Sequence, residues 1–221
     1  MVFRLNRERF KIDPVPMNTQ PSEIHSVHVP TAGIILAAGG STRMGQPKLL
    51  LPWRGEPLIR HVARTALAAG LSPVLVVTGA YGDEIRDSLT DLQVQIIPNP
   101  EWEAGQSTSV RAGVQALPGE TGAAVFMLAD QPQIPVGLVR ALVDAYAQTQ
   151  APVIAPLIAG KRGNPALFDQ AVFPDLLELS GDAGARQILG RYPLQFVPWD
   201  DESLLLDIDT PEDYRQLIED S

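Results

Sequence analysis

Apolar residues recur in two rhythms along the chain from Thr31 onward. Short continuous apolar runs at Ala32–Ala37, Val74–Thr78, Val94–Ile97, Ala123–Leu128 and Val153–Pro156 predict buried strands. Between them, Leu58–Ala69 places Leu58, Val62, Thr65, Ala66 and Ala69 on one helical face. Gly82–Leu89, Thr108–Leu117 and the stretch from Pro135 to about Gln148 predict further helices. Pro135 suits the first helical position, where a missing N–H costs nothing. This βαβα order predicts one three-layer α/β domain over residues 31–221, with a mainly parallel, Rossmann-like sheet covered on both faces.

After Lys161 the rhythm weakens. Ala166–Phe168 and Leu194–Val197 read as candidate strands, and Gln170–Leu179, Ala183–Leu189 and Pro211–Glu219 as candidate helices. Residues 1–30 contain Pro14, Pro16, Pro21 and Pro30 without any period, which predicts a flexible extension.

Composition narrows the chemistry. The chain has no cysteine, so thiolate catalysis and cysteine-ligated metals are excluded. Its three histidines, His25, His28 and His61, make a histidine-rich metal site unexpected, and His61 reads as structural. Any catalytic metal should be a hard, oxygen-ligated ion. The formal net charge of −9 disfavours nucleic acid and anionic lipid as partners, yet leaves room for a small phosphorylated ligand beside a few clustered cations. No apolar run approaches a membrane span, and Met1–Lys11 is basic without a following apolar region, so a cytoplasmic location is expected.

The most informative segment is Leu36-Ala37-Ala38-Gly39-Gly40-Ser41-Thr42-Arg43-Met44-Gly45, followed by Pro47-Lys48. It follows a buried strand directly, where ligands bind in open parallel sheets. Gly39, Gly40 and Gly45 allow backbone N–H groups close to phosphate oxygens. Arg43 offers a planar fork and Lys48 a mobile point charge, while small Ala37 and Ala38 leave room for a base. A Walker loop is excluded because Gln46, not lysine, follows Gly45, and no Gly-x-Gly of a dinucleotide fingerprint exists. The string reads as a different phosphate loop.

Asp130, in Ala129-Asp130-Gln131-Pro132, follows the strand Ala123–Leu128 and should project near the same edge. It reads either as a metal ligand or as a cap for the helix beginning near Pro135. Asp207 and Asp209 would share a side of an extended segment and could complete the metal site. Asp209, just before Thr210-Pro211, also reads as a helix N-cap.

This set of motifs resembles the MobA-like nucleotidyltransferases, especially their molybdenum cofactor cytidylyltransferase branch. Besides the glycine-rich string, it includes Leu49-Leu50-Leu51-Pro52, Val77-Thr78-Gly79, Asn99-Pro100, Gly105 with Thr108-Ser109-Val110, Ala129-Asp130-Gln131-Pro132, Arg162-Gly163-Asn164-Pro165 and Asp207-Ile208-Asp209-Thr210-Pro211. These stand in the family's order from Gly33 to about Tyr214. The resemblance implies a nucleotidyltransferase sheet of the GT-A-like kind. It implies a donor site of Leu36, Ala37, Ala38, Gly39, Gly40, Ser41, Arg43, Lys48, Thr78, Gly79, Ser107 and Ser109. Mg²⁺ is expected on Asp130 with Asp209 or Asp207, and Arg43, Lys48 and Asp130 as the catalytic set.

The acceptor is expected at Arg162, Gly163, Asn164, Gly184 and Arg186. Gly181-Asp182-Ala183-Gly184-Ala185-Arg186 also reads as a helix start able to receive an anion. Leu36-Ala37-Ala38-Gly39 leans towards CTP as donor, whereas guanylyl-transferring relatives carry Leu-Ala-Gly-Gly-type loops. Cytidylyl-transferring relatives commonly show Gly-His-Pro where Gly163-Asn164-Pro165 stands here, so sugar phosphate or phospholactate remain alternatives to molybdopterin. A non-catalytic carrier of the cofactor, working with a molybdoenzyme or its chaperone, is the other alternative. No Ser–His–Asp or Cys–His arrangement is evident, and phosphoryl chemistry needs none, since a phosphate nucleophile is already ionised.

Overall fold

The computed structural model describes residues 30–182 and 184–219. All of the predicted proline-rich extension but Pro30, with His25 and His28, lies outside those residues. In chain order the elements are β1 (Thr31–Ala37), β2 (Pro52–Trp53), β3 (Glu56–Pro57), α1 (Leu58–Ala68), β4 (Val74–Thr78), α2 (Gly82–Ser88), β5 (Gln95–Pro98), α3 (Gln106–Gln115), β6 (Ala123–Leu128), α4 (Val136–Thr149), β7 (Val153–Ile158), β8 (Lys161–Arg162), β9 (Ala166–Asp169), α5 (Phe173–Leu177), β10 (Leu194–Pro198) and α6 (Pro211–Glu219).

Eight strands form one mixed sheet in the order β10-β7-β9-β6-β1-β4-β5, with β8 added on β7. The pairs of β1 with β4 and β6, of β4 with β5, and of β10 with β7 are all parallel. Because β1 is covered on both faces, its side chains divide between two cores. Ile35 and Ala37 join α1, α2 and α4 on one side, while Ala32 and Ile34 join α3 and α5 on the other. The sheet is thus the middle of three layers. Helix α1 ends in a Schellman arrangement: Gly70 takes φ +87°, its N–H bonds Leu67 O, and Leu71 N–H bonds Ala66 O. That turn sends the chain straight into β4, next to β1.

The register is what builds a site. Ala37 of β1 lies opposite Thr78 of β4, and Leu36 opposite Leu128 of β6. The glycine-rich loop, Thr78-Gly79 and Asp130 therefore leave the sheet at one edge.

The less regular half departs from expectation. Strand β9 runs antiparallel between β6 and β7, with Ala166 opposite Phe126 and Phe168 opposite Val153. Its entry loop consequently brings Arg162 and Asn164 to the same edge as Asp130. The helix expected over Gln170–Leu179 is a 3-10 turn (Gln170–Val172) followed by short α5. The helix expected over Ala183–Leu189 is instead two 3-10 turns, Gly184–Gln187 and Leu189–Arg191, with Ala183 outside the described residues. Gly184 at φ +51° lies outside the right-handed helical region, so a regular α-helix cannot include it.

Candidate active site

Ser41 organises the glycine-rich loop. It sits at φ +51°, its carbonyl accepts from Met44 N–H and Gly45 N–H, and its hydroxyl accepts from Lys48 N–H at 3.2 Å. This fold-back directs Lys48 inward. The Lys48 ammonium donates to Asp130 Oδ2 at 2.7 Å and to Asp209 Oδ1 at 2.9 Å, and Arg43 reaches Asp209 Oδ2 at 2.9 Å. Three distant segments converge here, joined further by the Ile208 N–H bond to Asp130 O.

Only 12% of the Lys48 side chain is exposed, so the two carboxylates are its main neutralising environment. Burial disfavours its charge, but the Asp130 charge and the hydrogen bonds to both carboxylates outweigh it and raise its pKa. Asp209 shows the reverse. Burial pushes its pKa up, yet the Lys48 hydrogen bond and charge, with Arg43, hold it below the ordinary range. Both shifts favour the charged forms of Lys48 and Asp209 at neutral pH.

The helix-cap readings of both aspartates are settled by their partners. Helix α4 begins at Val136, with Pro135 as its extended N-cap residue rather than its first helical residue and with no side-chain cap, leaving Asp130 to Lys48. Thr210 and Asp213 cap α6 reciprocally: Asp213 accepts from Thr210 N–H at 2.7 Å, and Thr210 Oγ1 accepts from Asp213 N–H at 3.3 Å. That box frees the Asp209 carboxylate. Asp207, by contrast, accepts from Gln131 Nε2 at 2.6 Å. Its pKa is raised by burial first and then by the nearby Asp130 charge. Among the described residues no three acidic or histidine side chains form a metal-holding cluster.

A cleft of about 390 Å³ opens beside this cluster, a size that suits a small-molecule ligand. Its lining includes Ala37, Gly39, Gly40, Lys48, Ser109 and Asp130. Leu36 and Ala38 also reach it, whereas exposed Arg43 approaches from outside through Asp209. Three expected donor-site residues stand apart. Thr78 and Gly79 line a separate cavity behind Trp102. Ser107 is 1% exposed, and its hydroxyl has no hydrogen-bond partner among the described residues. Ser109 does border the cleft, and its hydroxyl accepts from Asn99 Nδ2 at 3.0 Å.

Trp102 carries an unanticipated part of the architecture. A Cβ on Gly40 would lie 2.9 Å from its ring, and one on Gly79 would lie 2.4 Å from Ala38 O and 2.7 Å from Trp102 Cγ. Glycine is required at 79 for close approach of backbone to backbone. Replacing Gly79 by Ala should therefore force the loop and Trp102 apart at a cost of about 1–3 kcal/mol. Thermal melting checks this, and an unchanged melting temperature would refute the packing argument.

Beyond Leu36 and Leu128 lies a second pocket floored by Phe126 and Phe168 and bordered by Arg162, Asn164 and Arg186. Burial, and then the like charge of Arg186, weaken the hold of Arg162 on its proton. Arg162 donates only to Gly163 O, and among the described residues neither arginine has a carboxylate partner. Two guanidiniums thus border one pocket and repel each other. The two glycines expected with them act through the backbone. Gly163 N–H bonds Pro156 O, and its missing Cβ leaves room for Ile158; Gly184 makes room for Gln106.

His61 takes no part: its Nε2 pairs with Trp53 O at 2.6 Å, away from the cleft. No helix among the described residues is long and apolar enough to cross a membrane.

Residues 33–196 match the model of the MobA-like NTP transferase domain. The chain belongs to this family. Its members have diverse names. It is 37% identical to the purine catabolism protein PucB of Bacillus subtilis over 82% of this chain and 93% of that protein. It is 33% identical to nicotine blue oxidoreductase of Paenarthrobacter nicotinovorans (84% and 95%) and 30% identical to the molybdenum cofactor cytidylyltransferase of Escherichia coli (82% and 92%). Among solved structures, Rv0371c of Mycobacterium tuberculosis superposes with a TM-score of 0.79 at 28% identity, covering 87% of this chain and 99% of that one. A manganese complex of the same protein superposes with a TM-score of 0.74 at 28% identity, covering 87% and 100%. The family membership and these structural relatives make the chain a nucleotidyltransferase.

Proposed function

We propose that the chain transfers CMP from CTP to the terminal phosphate of molybdopterin, releasing pyrophosphate. The observation that carries this reading is the meeting of Lys48 and Asp130, on the wall of the glycine-lined cleft, with Asp209, next to a pocket bearing two arginines that have no carboxylate partner among the described residues. The first feature suits a triphosphate and its counter-ion, and the second, a pocket of about 60 Å³, suits the phosphate end of an acceptor.

The donor set fits magnesium. Two carboxylates with a cation already between them form a weak protein site that phosphate and water oxygens would complete, as this ion prefers. Asp130 and Asp209 would hold it, and it would supply neutralisation of charge on the triphosphate. The remaining work falls to the chain. Backbone N–H groups of Gly39 and Gly40 cradle phosphate, Lys48 and Arg43 stabilise the departing pyrophosphate, and Arg162 and Arg186 orient the acceptor phosphate. An acceptor oxygen forms a bond to the α-phosphorus as the bond to the bridging oxygen breaks, its electron pair leaving with pyrophosphate. No general base is required, because the nucleophile is already ionised.

The E. coli relative and the Leu36-Ala37-Ala38-Gly39 loop support CTP and molybdopterin over other pairs. Pyrophosphate release with CTP, GTP, ATP and UTP, each with molybdopterin, a sugar phosphate or phospholactate, tests both choices. CTP with molybdopterin should dominate; equal turnover with GTP would defeat the cytidylyl assignment. Acceptor binding without turnover would instead favour a carrier working with a molybdoenzyme or its chaperone. In the same assay Arg162→Met should raise the acceptor KM on the order of 10-fold, the loss of one charge-assisted hydrogen bond, with CTP affinity retained.

A further inference from the structure

The donor cleft and the acceptor pocket share three wall residues: Leu36, Leu128 and Gln106. Leu36 and Leu128 cannot hydrogen-bond through their side chains, so Gln106 is the one shared side chain able to address a phosphate. It stands at the first turn of α3 and is exposed, and no other described residue accepts or donates a hydrogen bond to its carboxamide. What fixes it is packing. A Cβ on Gly184 would lie 2.3 Å from Gln106 Oε1 and 3.0 Å from Cδ, so the carboxamide rests on a bare glycine.

The support beneath it is elaborate. Ser107 N–H bonds Gly181 O, Arg111 bonds Leu179 O at 2.6 Å, and Gly184 holds φ +51°. The segment bearing Asp182 on the donor side and Arg186 on the acceptor side is thereby pinned against the start of α3. Gln106 is laid across the seam between the two sites with its hydrogen-bonding groups free.

We propose that Gln106 is a specificity-determining residue that hydrogen-bonds the incoming phosphate monoester and aligns it with the α-phosphorus of the donor. This rests on the nucleotidyl-transfer reading and adds a residue to it. The chemistry favours an amide at this point. Its NH₂ carries two donors and can hold both phosphates at once. Being neutral, it does so without withdrawing charge from the attacking oxygen, as a guanidinium placed there would. A carboxylate would repel both anions.

The test compares the wild type with Gln106→Ala, Gln106→Glu and Gly184→Ala. Molybdopterin binding is measured by isothermal titration in the presence of a non-hydrolysable CTP analogue, and CTP-analogue binding is measured separately. Gln106→Ala should weaken acceptor binding and kcat/KM on the order of 10–100-fold, the range for a hydrogen bond to a charged group, with analogue affinity unchanged within about twofold. Gln106→Glu should be worse than Gln106→Ala. Gly184→Ala must displace the carboxamide and should reproduce the alanine phenotype, while the double variant Gln106→Ala, Gly184→Ala should lose no more acceptor affinity than Gln106→Ala alone. Unchanged acceptor binding in Gln106→Ala, or equal losses of acceptor and donor, would overturn the proposal. Because titration needs no turnover, an inactive wild type that still binds acceptor would count against the reaction and leave the Gln106 result readable.

Discussion

Asp130→Asn should lose turnover on the order of 10²–10³-fold, the usual consequence of removing one preorganised electrostatic group from a reacting centre. The substitution keeps size and shape but removes the charge that Lys48 faces at 2.7 Å. Stability should change little. Lys48 retains Asp209 at 2.9 Å, and the Asp130 backbone carbonyl still accepts from Ile208 N–H. Steady-state kinetics with melting curves separates the two effects. A large fall in melting temperature with intact kcat would assign Asp130 a structural role instead.

Lys48→Met should produce a different signature. Under the proposed function its ammonium serves twice: it neutralises Asp130 and Asp209 in the free protein, and it stabilises pyrophosphate during transfer. Removing it should again lower turnover on the order of 10²–10³-fold. It also leaves two carboxylates without their shared counter-charge. The variant should unfold about 1–2 kcal/mol more easily, less than for a fully buried pair because both carboxylates are partly exposed. Manganese should then bind without nucleotide and restore the melting temperature, whereas the wild type binds it weakly until a triphosphate draws the ammonium away. Electron paramagnetic resonance of free Mn²⁺ reads this directly. Equal manganese affinity in the two proteins would show that lysine and metal do not compete.

Much of the fold was legible because a doubly covered sheet leaves continuous apolar runs, as in Ile34–Leu36 and Ala123–Leu128. Those runs also locate the strand ends, and with them the glycine-rich loop and Asp130. The direction of β9 was not legible. Four residues, Ala166–Asp169, bury equally well in either orientation, and only pairing with β6 and β7 decides. Side-chain aim was hidden for a similar reason. The sequence places Thr78 at a strand end and Ser107 at a helix start, but Thr78 lies behind Trp102 and Ser107 is buried. Trp102 and Gln106 were missed because their importance comes from glycines far away, at 40, 79 and 184, which leave room for them. Thr210 with Asp213 is the exception. The Thr-x-x-Asp spacing was present, and it could have freed Asp209 from the capping role in advance.

The most direct measurement is a crystal of the protein with Mn²⁺ and a non-hydrolysable CTP analogue, located by anomalous scattering. The account predicts a manganese peak in contact with Asp130 and Asp209, triphosphate oxygens against the Gly39–Gly40 backbone, and the Lys48 ammonium moved from the carboxylates to phosphate. A metal bound elsewhere, or a triphosphate outside that cleft with Lys48 still seated between Asp130 and Asp209, would contradict it.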